Sequence, residues 1–385
     1  MTAVSWSYAS RARTHHRPLA LFLPDLSGGG GERITLTLGH ALSRLGLDVD
    51  LVVGSERGPL AAEVPPDVNL VDLDQRRLRG ALPTLVRYLR VRRPGWIMPT
   101  IDHANVVGAL AARAARSDTR VVLRPSTTMS LRLPLGPSPA AHVADALSRH
   151  CYRTADAVVA CSRGMADDLA SYCEIDRGRI DVIPNATLGP DVTLRARLPL
   201  DHPWFQDGAP PVVLGAGRLA PPKDFGTLLE AFAQVRRQRP VRLVVLGEGP
   251  EREGLLTRAA ELGVADDVAM PGFDPNPYRY MARAGVFVLS SRREGLPGAL
   301  IEAMACGTRV VATDCPSGAA EVLDDGRHGR LVPVGDATSM ASAIAAALDD
   351  PDRPPPAAVE RYRAMDVARA YLRVLERVVD APVAA

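Results

Sequence analysis

Short apolar runs alternate with longer stretches of helical periodicity along this sequence. This alternation runs through the first half and then starts again. Residues 34–45, for example, carry apolar side chains at the spacing of one helix face. The apolar runs occupy residues 19–23, 48–53, 68–71, 120–123 and 157–160, and then 211–215, 241–246, 268–270, 286–289, 309–312 and 330–332. Continuous apolar strands that alternate with helices are typical of parallel sheets covered on both faces, so the sequence predicts an α/β fold.

The restart of the pattern predicts two α/β domains that face each other across a cleft. We place the break within residues 185–210, where prolines and a glycine interrupt the periodicity. The predicted division is a loose leader over 1–18, an N-terminal domain over 19–190, a C-terminal domain over 191–365 and a final helix over 366–385. That helix could pack on either domain, including back on the first.

Charge and cysteine content exclude several classes of protein. The formal net charge is only +2, so nucleic acid is not an expected partner. The five cysteines are odd in number and none forms a C-x-x-C pair, which disfavours a zinc site or a disulfide framework. No apolar run approaches the length of a signal-peptide core or a membrane span. We therefore expect a cytoplasmic protein that can lie on the inner face of the cell membrane but does not span it.

A glycine-rich segment follows the first predicted strand and precedes the first predicted helix. It contains Gly28, Gly29, Gly30 and Gly31. Glycines let backbone amides approach a bulky anion closely, and a helix N-terminus adds favourable potential. A flexible turn is the plainer alternative. Because open parallel sheets bind ligands at the carboxyl ends of their strands, we predict a contact with a diphosphate or a sugar.

The first strand of the second domain is followed by a loop that carries two cations five residues apart, Arg218 and Lys223. An arginine fork and a lysine point charge can converge on one diphosphate. Two ordinary surface charges are the alternative.

A further loop and helix start carry two carboxylates, Glu294 and Glu302, in a segment that is otherwise mostly apolar. Pro297 is predicted in the first helical turn, which would place Glu302 one to two turns into the helix. The two carboxylates can accept hydrogen bonds from different parts of one ligand. The backbone amides around Gly295, Leu296 and Pro297 would face its phosphates.

These motifs together resemble glycosyltransferase family 4. The resemblance rests on the two glutamates with residues 303–307, on segment 318–321, on Gly217-Arg218 with Lys223, on residues 28–33 and on Pro184-Asn185. It implies a retaining, metal-independent hexosyltransferase of GT-B architecture, with two Rossmann-like domains. The N-terminal domain would hold the acceptor and the C-terminal domain the donor. No cofactor is implied beyond a nucleotide-sugar co-substrate, for which we expect UDP.

Carried over residue by residue, the resemblance assigns Arg218 and Lys223 to the donor diphosphate, Glu302 to the ribose hydroxyls and Glu294 to the transferred sugar. The segment Met270-Pro271-Gly272-Phe273 would line the base pocket. The acceptor would be a sugar or a lipid-linked sugar in polysaccharide, lipid-linked oligosaccharide or glycolipid biosynthesis.

The first domain departs from the family at one position. Related enzymes often carry a histidine after the strand at 120–123, where this chain has Arg124. Arg124 could supply an electrostatic role but not acid–base chemistry. His103 is the other candidate, and a structural histidine is the alternative reading. The triplets Asp48-Val49-Asp50 and Asp72-Leu73-Asp74 are interpreted as structural rather than as metal ligands.

Residues 75–94 form a basic amphipathic segment with seven arginines. Such a segment can rest on anionic lipid, although the pattern slightly favours an ordinary covering helix with a solvated basic face. Two rival functions remain at this point. One is a sugar-nucleotide epimerase or phosphorylase of the same fold, and the other is a non-catalytic sugar-binding protein.

Overall fold

The computed structural model describes residues 17–75, 77–131 and 138–380, and the chain divides into two compact units. The N-terminal unit comprises residues 1–186 together with 364–385, and the C-terminal unit comprises Thr187–Arg363. Both breaks fall slightly earlier than the predicted ones, which were after residues 190 and 365. Residues 1–16 of the predicted leader and the last five residues of the predicted final helix lie outside the described residues.

Each unit contains one parallel β-sheet, which confirms the predicted α/β fold. The strands of the N-terminal unit are β1 (Leu19–Leu23), β2 (Val49–Val53), β3 (Asn69–Asp72), β4 (Trp96–Pro99), β5 (Arg120–Leu123), β6 (Ala157–Ala160) and β7 (Ile180–Val182). Those of the C-terminal unit are β8 (Val212–Ala216), β9 (Arg242–Leu246), β10 (Val268–Gly272), β11 (Val286–Leu289), β12 (Val310–Thr313) and β13 (Arg330–Val332). The orders are β3-β2-β1-β4-β5-β6-β7 and β10-β9-β8-β11-β12-β13.

Helices connect the strands, as parallel pairing requires. Within the described residues they are α1 (Gly30–Arg44), α2 (Ala81–Arg92), α3 (Asp102–Ala115), α4 (Pro139–Thr154), α5 (Arg163–Cys173), α6 (Val192–Ala196), α7 (Phe225–Gln238), α8 (Arg252–Glu261), α9 (Tyr278–Met281), α10 (Gly298–Ala305), α11 (Ala319–Leu323), α12 (Ala337–Asp349) and α13 (Ala364–Asp380).

Strand β1 shows why an unbroken apolar run suits the centre of such a sheet. Its five residues are all fully buried. Leu19 and Leu21 enter a core shared with α1 and α13, whereas Ala20 and Phe22 enter a second core shared with α2 and α3. Successive side chains of a strand point to opposite faces, so β1 is covered on both sides.

Helix α13 belongs to the N-terminal unit. Tyr371 and Leu375 are buried in the core that it shares with α1. The indole nitrogen of Trp96 donates to the carbonyl oxygen of Leu375 at 2.9 Å, and Arg377 forms an ion pair with Asp181. Helix α13 is therefore fixed to this unit by packing and by polar contacts.

The sheet of the C-terminal unit is covered in the same manner. Helices α7 and α12 contribute Phe232 and Ile344 to a core with strand residues such as Val213 and Val288. Helix α10 packs on β11 and β12. The loops after β8, β11 and β12 leave the carboxyl ends of neighbouring strands, and these loops carry the predicted donor residues.

Candidate functional site

The closest polar contact among the predicted site residues joins Lys223 and Glu294. Lys223 ends a short 3-10 turn after β8, and its Nζ lies 2.5 Å from Oε1 of Glu294. The same oxygen accepts a hydrogen bond from Ser291 Oγ at 2.6 Å. The two charged side chains are 28% and 12% exposed, so the pair lies largely out of solvent. Lys223 is also the only lysine among the 46 basic residues of the sequence.

The loops that carry this pair are cross-linked. Asp224 is buried, and its carboxylate accepts hydrogen bonds from Arg292 Nε and Thr227 Oγ1, both at 2.9 Å. Ser290 Oγ donates to the carbonyl oxygen of Lys223 at 2.8 Å. The Arg292 amide donates to the carbonyl oxygen of Pro222 at 2.9 Å, so the loop after β8 is bound to the loop after β11 on both sides of the lysine.

Arg218 lies in the same loop but is placed differently. Its side chain is exposed and has no ion pair or hydrogen bond with any residue that the structure describes. An exposed guanidinium with free donors is available to a ligand phosphate. The structure thus gives Lys223 a partner within the protein and leaves Arg218 open to solvent.

The segment from Gly295 to Pro297 is buried beneath a neighbouring loop. Gly318 has φ of +97°, and a Cβ there would lie 2.6 Å from the carbonyl oxygen of Gly295. Only glycine allows this approach. Pro297 precedes α10 rather than lying in its first turn as predicted, because its extended conformation (ψ 94°) caps the helix. The first amides of a helix lack intrahelical partners, so those of Gly298 and Ala299 can donate to an anion.

Glu302 lies in α10, one turn after its start. Its Oε1 accepts a hydrogen bond from the Tyr278 hydroxyl at 3.1 Å. The Arg195 guanidinium lies 5.0 Å from the centre of the Tyr278 ring, and Tyr278 is buried. The pKa of the Cys306 thiol is raised to about 12, mainly by burial and secondly by the nearby charge of Glu302. These contacts hold a half-buried carboxylate in a defined position.

The segment from Met270 to Phe273 ends β10. Arg252 Nη2 donates to the carbonyl oxygen of Met270 at 2.5 Å, and the Gly247 amide donates to that of Gly272 at 2.8 Å. Pro271 is exposed, and Phe273 is 51% exposed. A fixed backbone beside an exposed aromatic ring is compatible with stacking on a flat ring system.

Only two of the four glycines in the predicted glycine loop of the N-terminal unit lie in a loop. Gly28 has φ of +98° and Gly29 precedes α1, but Gly30 and Gly31 form the first turn of that helix. The Glu32 carboxylate folds back, so that a Cβ on Gly29 would lie 2.3 Å from its Oε2. Burial raises the pKa of this carboxyl group.

His103 lies in the first turn of α3 and its side chain is exposed. Ile101, the residue that precedes α3, has φ of +81°, an unusual conformation for a β-branched residue. Asp102 accepts hydrogen bonds from the Ser126 amide at 3.3 Å and from Thr127 Oγ1 at 2.7 Å. These contacts tie the start of α3 to the loop that follows β5.

Arg124 follows β5 and is only 4% exposed. It donates to Asn185 Oδ1, its Nε has no partner, and it forms no ion pair with the described residues. Asn105 Nδ2 donates to the carbonyl oxygen of Arg124 at 2.9 Å. A buried guanidinium without a carboxylate is costly to maintain.

The basic segment 75–94 forms α2 and its flanks. Arg76 lies outside the described residues, as does the side chain of Arg79. Three other arginines are used within the unit. Arg92 contacts Asp50 at 2.9 Å, Arg93 contacts Asp118, and Arg90 donates to carbonyl oxygens of α3. Among the described residues no helix is long and apolar enough to cross a membrane, and no group of three metal-binding side chains occurs.

Three residues that support the pair were not predicted from the sequence. Ser290 and Ser291 follow β11 directly, and Thr313 ends β12. Thr313 Oγ1 donates to the carbonyl oxygen of Ser291 at 2.5 Å. The available signal was their location, because polar side chains at the carboxyl ends of parallel strands lie where such sheets bind ligands.

Two family models match this chain. The model described as glycosyl transferases group 1 matches residues 201–364, and that described as glycosyltransferase family 4 matches residues 28–187. Together they span most of both units.

Named relatives agree with these matches. The chain is 29% identical to N-acetylgalactosamine-N,N'-diacetylbacillosaminyl-diphospho-undecaprenol 4-alpha-N-acetylgalactosaminyltransferase of Campylobacter jejuni, over 86% of this chain and 90% of that protein. It is 30% identical to the lipopolysaccharide core biosynthesis glycosyltransferase LpsE of Rhizobium meliloti, over 82% of this chain and 84% of that protein.

Among solved structures, Anabaena Alr3699/HepE in complex with UDP and glucose matches with a TM-score of 0.69 and 22% identity. The match covers 95% of this chain and 99% of that one. At that identity the likeness supports the fold, which is GT-B. The resemblance predicted from the motifs is therefore confirmed, and the chain belongs to glycosyltransferase family 4.

Proposed function

We propose that this glycosyltransferase transfers a sugar from a UDP-linked donor to a sugar or lipid-linked acceptor, with retention of configuration and without a metal ion. The observation that carries the proposal is the contact of Lys223 with Glu294 at the start of the Gly295–Pro297 segment. A cation, a carboxylate and helix-terminal amides are thereby concentrated at the carboxyl ends of β8 and β11. That combination suits a ligand with an anionic diphosphate joined to a polyhydroxylated ring.

The donor residues divide the ligand between them in this proposal. Lys223 and Arg218 bind the diphosphate, and they stabilise the charge that develops on it as the bond to the sugar breaks. Glu302 accepts hydrogen bonds from the ribose hydroxyls. Glu294 accepts hydrogen bonds from the transferred sugar. Phe273 and its neighbours contact the base.

The N-terminal unit supplies the acceptor side of the proposal. Exposed His103 and buried Arg124 are its candidates for catalytic roles, whereas the Gly28–Gly31 segment offers glycine amides at the start of α1 for the donor diphosphate. Arg124 carries positive charge without a carboxylate partner among the described residues. It is therefore suited to stabilising negative charge rather than to moving a proton.

The donor and acceptor classes draw support from the relatives. Anabaena Alr3699/HepE has been solved with UDP and with UDP-glucose, which favours a UDP-linked donor. The Campylobacter relative is named for a diphospho-undecaprenol acceptor and the Rhizobium relative for lipopolysaccharide core biosynthesis. We therefore propose a role in lipid-linked oligosaccharide or polysaccharide assembly. The enzyme would work in the cytoplasm, with segment 75–94 in peripheral contact with the anionic inner face of the membrane.

A donor screen tests the proposal. The purified protein is incubated with a panel of UDP-, GDP- and dTDP-sugars and with undecaprenyl-diphosphate-linked oligosaccharides, and the released nucleoside diphosphate is measured. We expect release of UDP that depends on the acceptor. NMR of the product should show the same anomeric configuration as in the donor. Release of another nucleotide only, or a product of inverted configuration, would contradict the proposal.

A further inference from the structure

The Glu294 carboxylate is held through one of its two oxygens. Lys223 Nζ and Ser291 Oγ both contact Oε1, at 2.5 and 2.6 Å. Oε2 has no hydrogen-bond partner among the residues that the structure describes. The carboxylate is therefore fixed at one end and open at the other.

The two donors to Oε1 differ in what ligand binding would do to them. Lys223 is 28% exposed and charged, so an incoming diphosphate competes with Glu294 for its ammonium protons. Ser291 is neutral and only 1% exposed. A phosphate group therefore gains little by displacing the serine hydroxyl, which can stay on Oε1 when the lysine turns to the phosphate.

Ser291 is itself rigidly placed. The hydroxyl of Thr313, at the end of β12, donates to the carbonyl oxygen of Ser291 at 2.5 Å, and Thr313 is fully buried. Its hydroxyl also lies 3.3 Å from the carbonyl oxygen of Leu289, the last residue of β11. A hydrogen-bonded path thus runs from the ends of the neighbouring strands β11 and β12 through the serine to the carboxylate.

We propose that Ser291 is a positioning residue that keeps the Glu294 carboxylate on the transferred sugar after Lys223 has engaged the diphosphate. This inference rests on the proposed function, because it gives Glu294 its sugar-binding role. Ser291 orients the carboxylate by holding Oε1, and the free Oε2 meets the sugar. Loss of a hydrogen bond to a charged group is expected to lower kcat by about 10- to 100-fold. The affinity for the free nucleoside diphosphate should change little, since Ser291 does not contact it.

A double-mutant cycle in the full-length protein tests the inference. Ser291→Ala, Glu294→Gln and the double variant are compared for kcat and for KM of the donor, and UDP affinity is measured by calorimetry. If Ser291 acts through Glu294, adding Ser291→Ala to Glu294→Gln should lower kcat by less than about twofold, because coupled residues are not additive. Ser342→Ala is the matched control. It removes an exposed serine of α12 whose hydroxyl bonds a backbone oxygen at 3.1 Å, and it should keep wild-type kcat.

The outcomes distinguish the role proposed for Glu294 from the role proposed for Ser291. Wild-type kcat in Glu294→Gln refutes the role proposed for Glu294. If kcat is lowered in Glu294→Gln but is wild-type in Ser291→Ala, the role of Ser291 alone is overturned. The same holds if kcat is lowered in Glu294→Gln and the losses in the cycle are fully additive. If Ser291→Ala does not fold, Ser291→Thr and Ser291→Val form a second pair of equal shape that differs in the hydroxyl. We expect a higher kcat in Ser291→Thr than in Ser291→Val, with equal UDP affinity in the two variants. Equal kcat in both variants would overturn the inference.

Discussion

Replacement of Lys223 by alanine is the perturbation whose effect the structure defines most clearly. In the unliganded protein it removes an ion pair of 2.5 Å and leaves Glu294, 12% exposed, with Ser291 as its remaining donor. In the reaction it removes one of the two charges proposed to stabilise the departing diphosphate. Loss of such a donor costs about 2–4 kcal/mol, which corresponds to a decrease of about 30- to 900-fold in kcat/KM.

The replacement by arginine refines this prediction. Lys223 is the only lysine in an arginine-rich chain, and its stem passes over Gly217, with Cε 3.5 Å from where a Cβ would lie there. A planar guanidinium cannot fill the place of a compact ammonium between a carboxylate and a phosphate. Lys223→Arg should therefore recover less than half of the lost activity.

Steady-state kinetics with varied donor measure both variants. Arg237→Ala is the control, because Arg237 is exposed on the last turn of α7, the helix that begins next to Lys223. About 12 residues of helix separate the two positions, or roughly 20 Å. The control should keep wild-type kcat/KM. Wild-type kcat/KM in Lys223→Ala would refute the assignment of the lysine to the diphosphate.

Three further predictions follow from the same geometry. Glu302→Gln should raise donor KM and weaken UDP binding by calorimetry, whereas Glu294→Gln should lower kcat more than it raises KM and leave UDP binding nearly intact; the reverse pattern would exchange the two roles. Initial rates with and without EDTA should be equal, and loss of activity that Mg²⁺ or Mn²⁺ restores would make Asp72 and Asp74 candidate ligands. Gly318→Ala should lower Tm by several degrees, because its Cβ would lie 2.6 Å from a backbone oxygen at a φ of +97°; an unchanged Tm would show that the loop can move away.

The fold could be predicted from the sequence because its signal is local. Each strand is a short apolar run, and parallel order follows when helices intervene. Two strands of the N-terminal unit, β4 and β7, were missed, because β4 ends in a proline and β7 is interrupted by Asp181, so neither gives an unbroken apolar run. The start of α10 was misplaced by one position, because proline suits both the cap and the first turn.

The site could be predicted only as far as its motifs reach. Glu294 and Lys223 were identified because charged residues stand out in glycine-rich loops. Ser291 and Thr313 were missed because serine and threonine are common, and their role depends on the ends of two strands meeting in space. The contact between Lys223 and Glu294, 71 residues apart, depends on the same juxtaposition.

The basic segment shows a second limit. Periodicity gave α2 an apolar and a basic face, but it could not show which arginines have partners. Arg92 pairs with Asp50, a buried residue that also accepts hydrogen bonds from Tyr88 and Asn69. The first D-x-D triplet thus contributes a structural carboxylate, as interpreted from the sequence. The partner that neutralises a surface charge comes from another element and has no local signature.

The proposed contact between Lys223 and the diphosphate can be observed on the lysine side chain itself. Because Lys223 is the only lysine in the sequence, protein labelled with [ε-¹³C]lysine should give one side-chain NMR signal. Titration with UDP exchanges a carboxylate for a diphosphate as the ammonium's partner, so this signal should shift and saturate at the calorimetric Kd. The same titration of Glu294→Gln should begin from a different chemical shift and converge on a similar bound state. A lysine signal that stays unchanged while UDP binds would contradict the account.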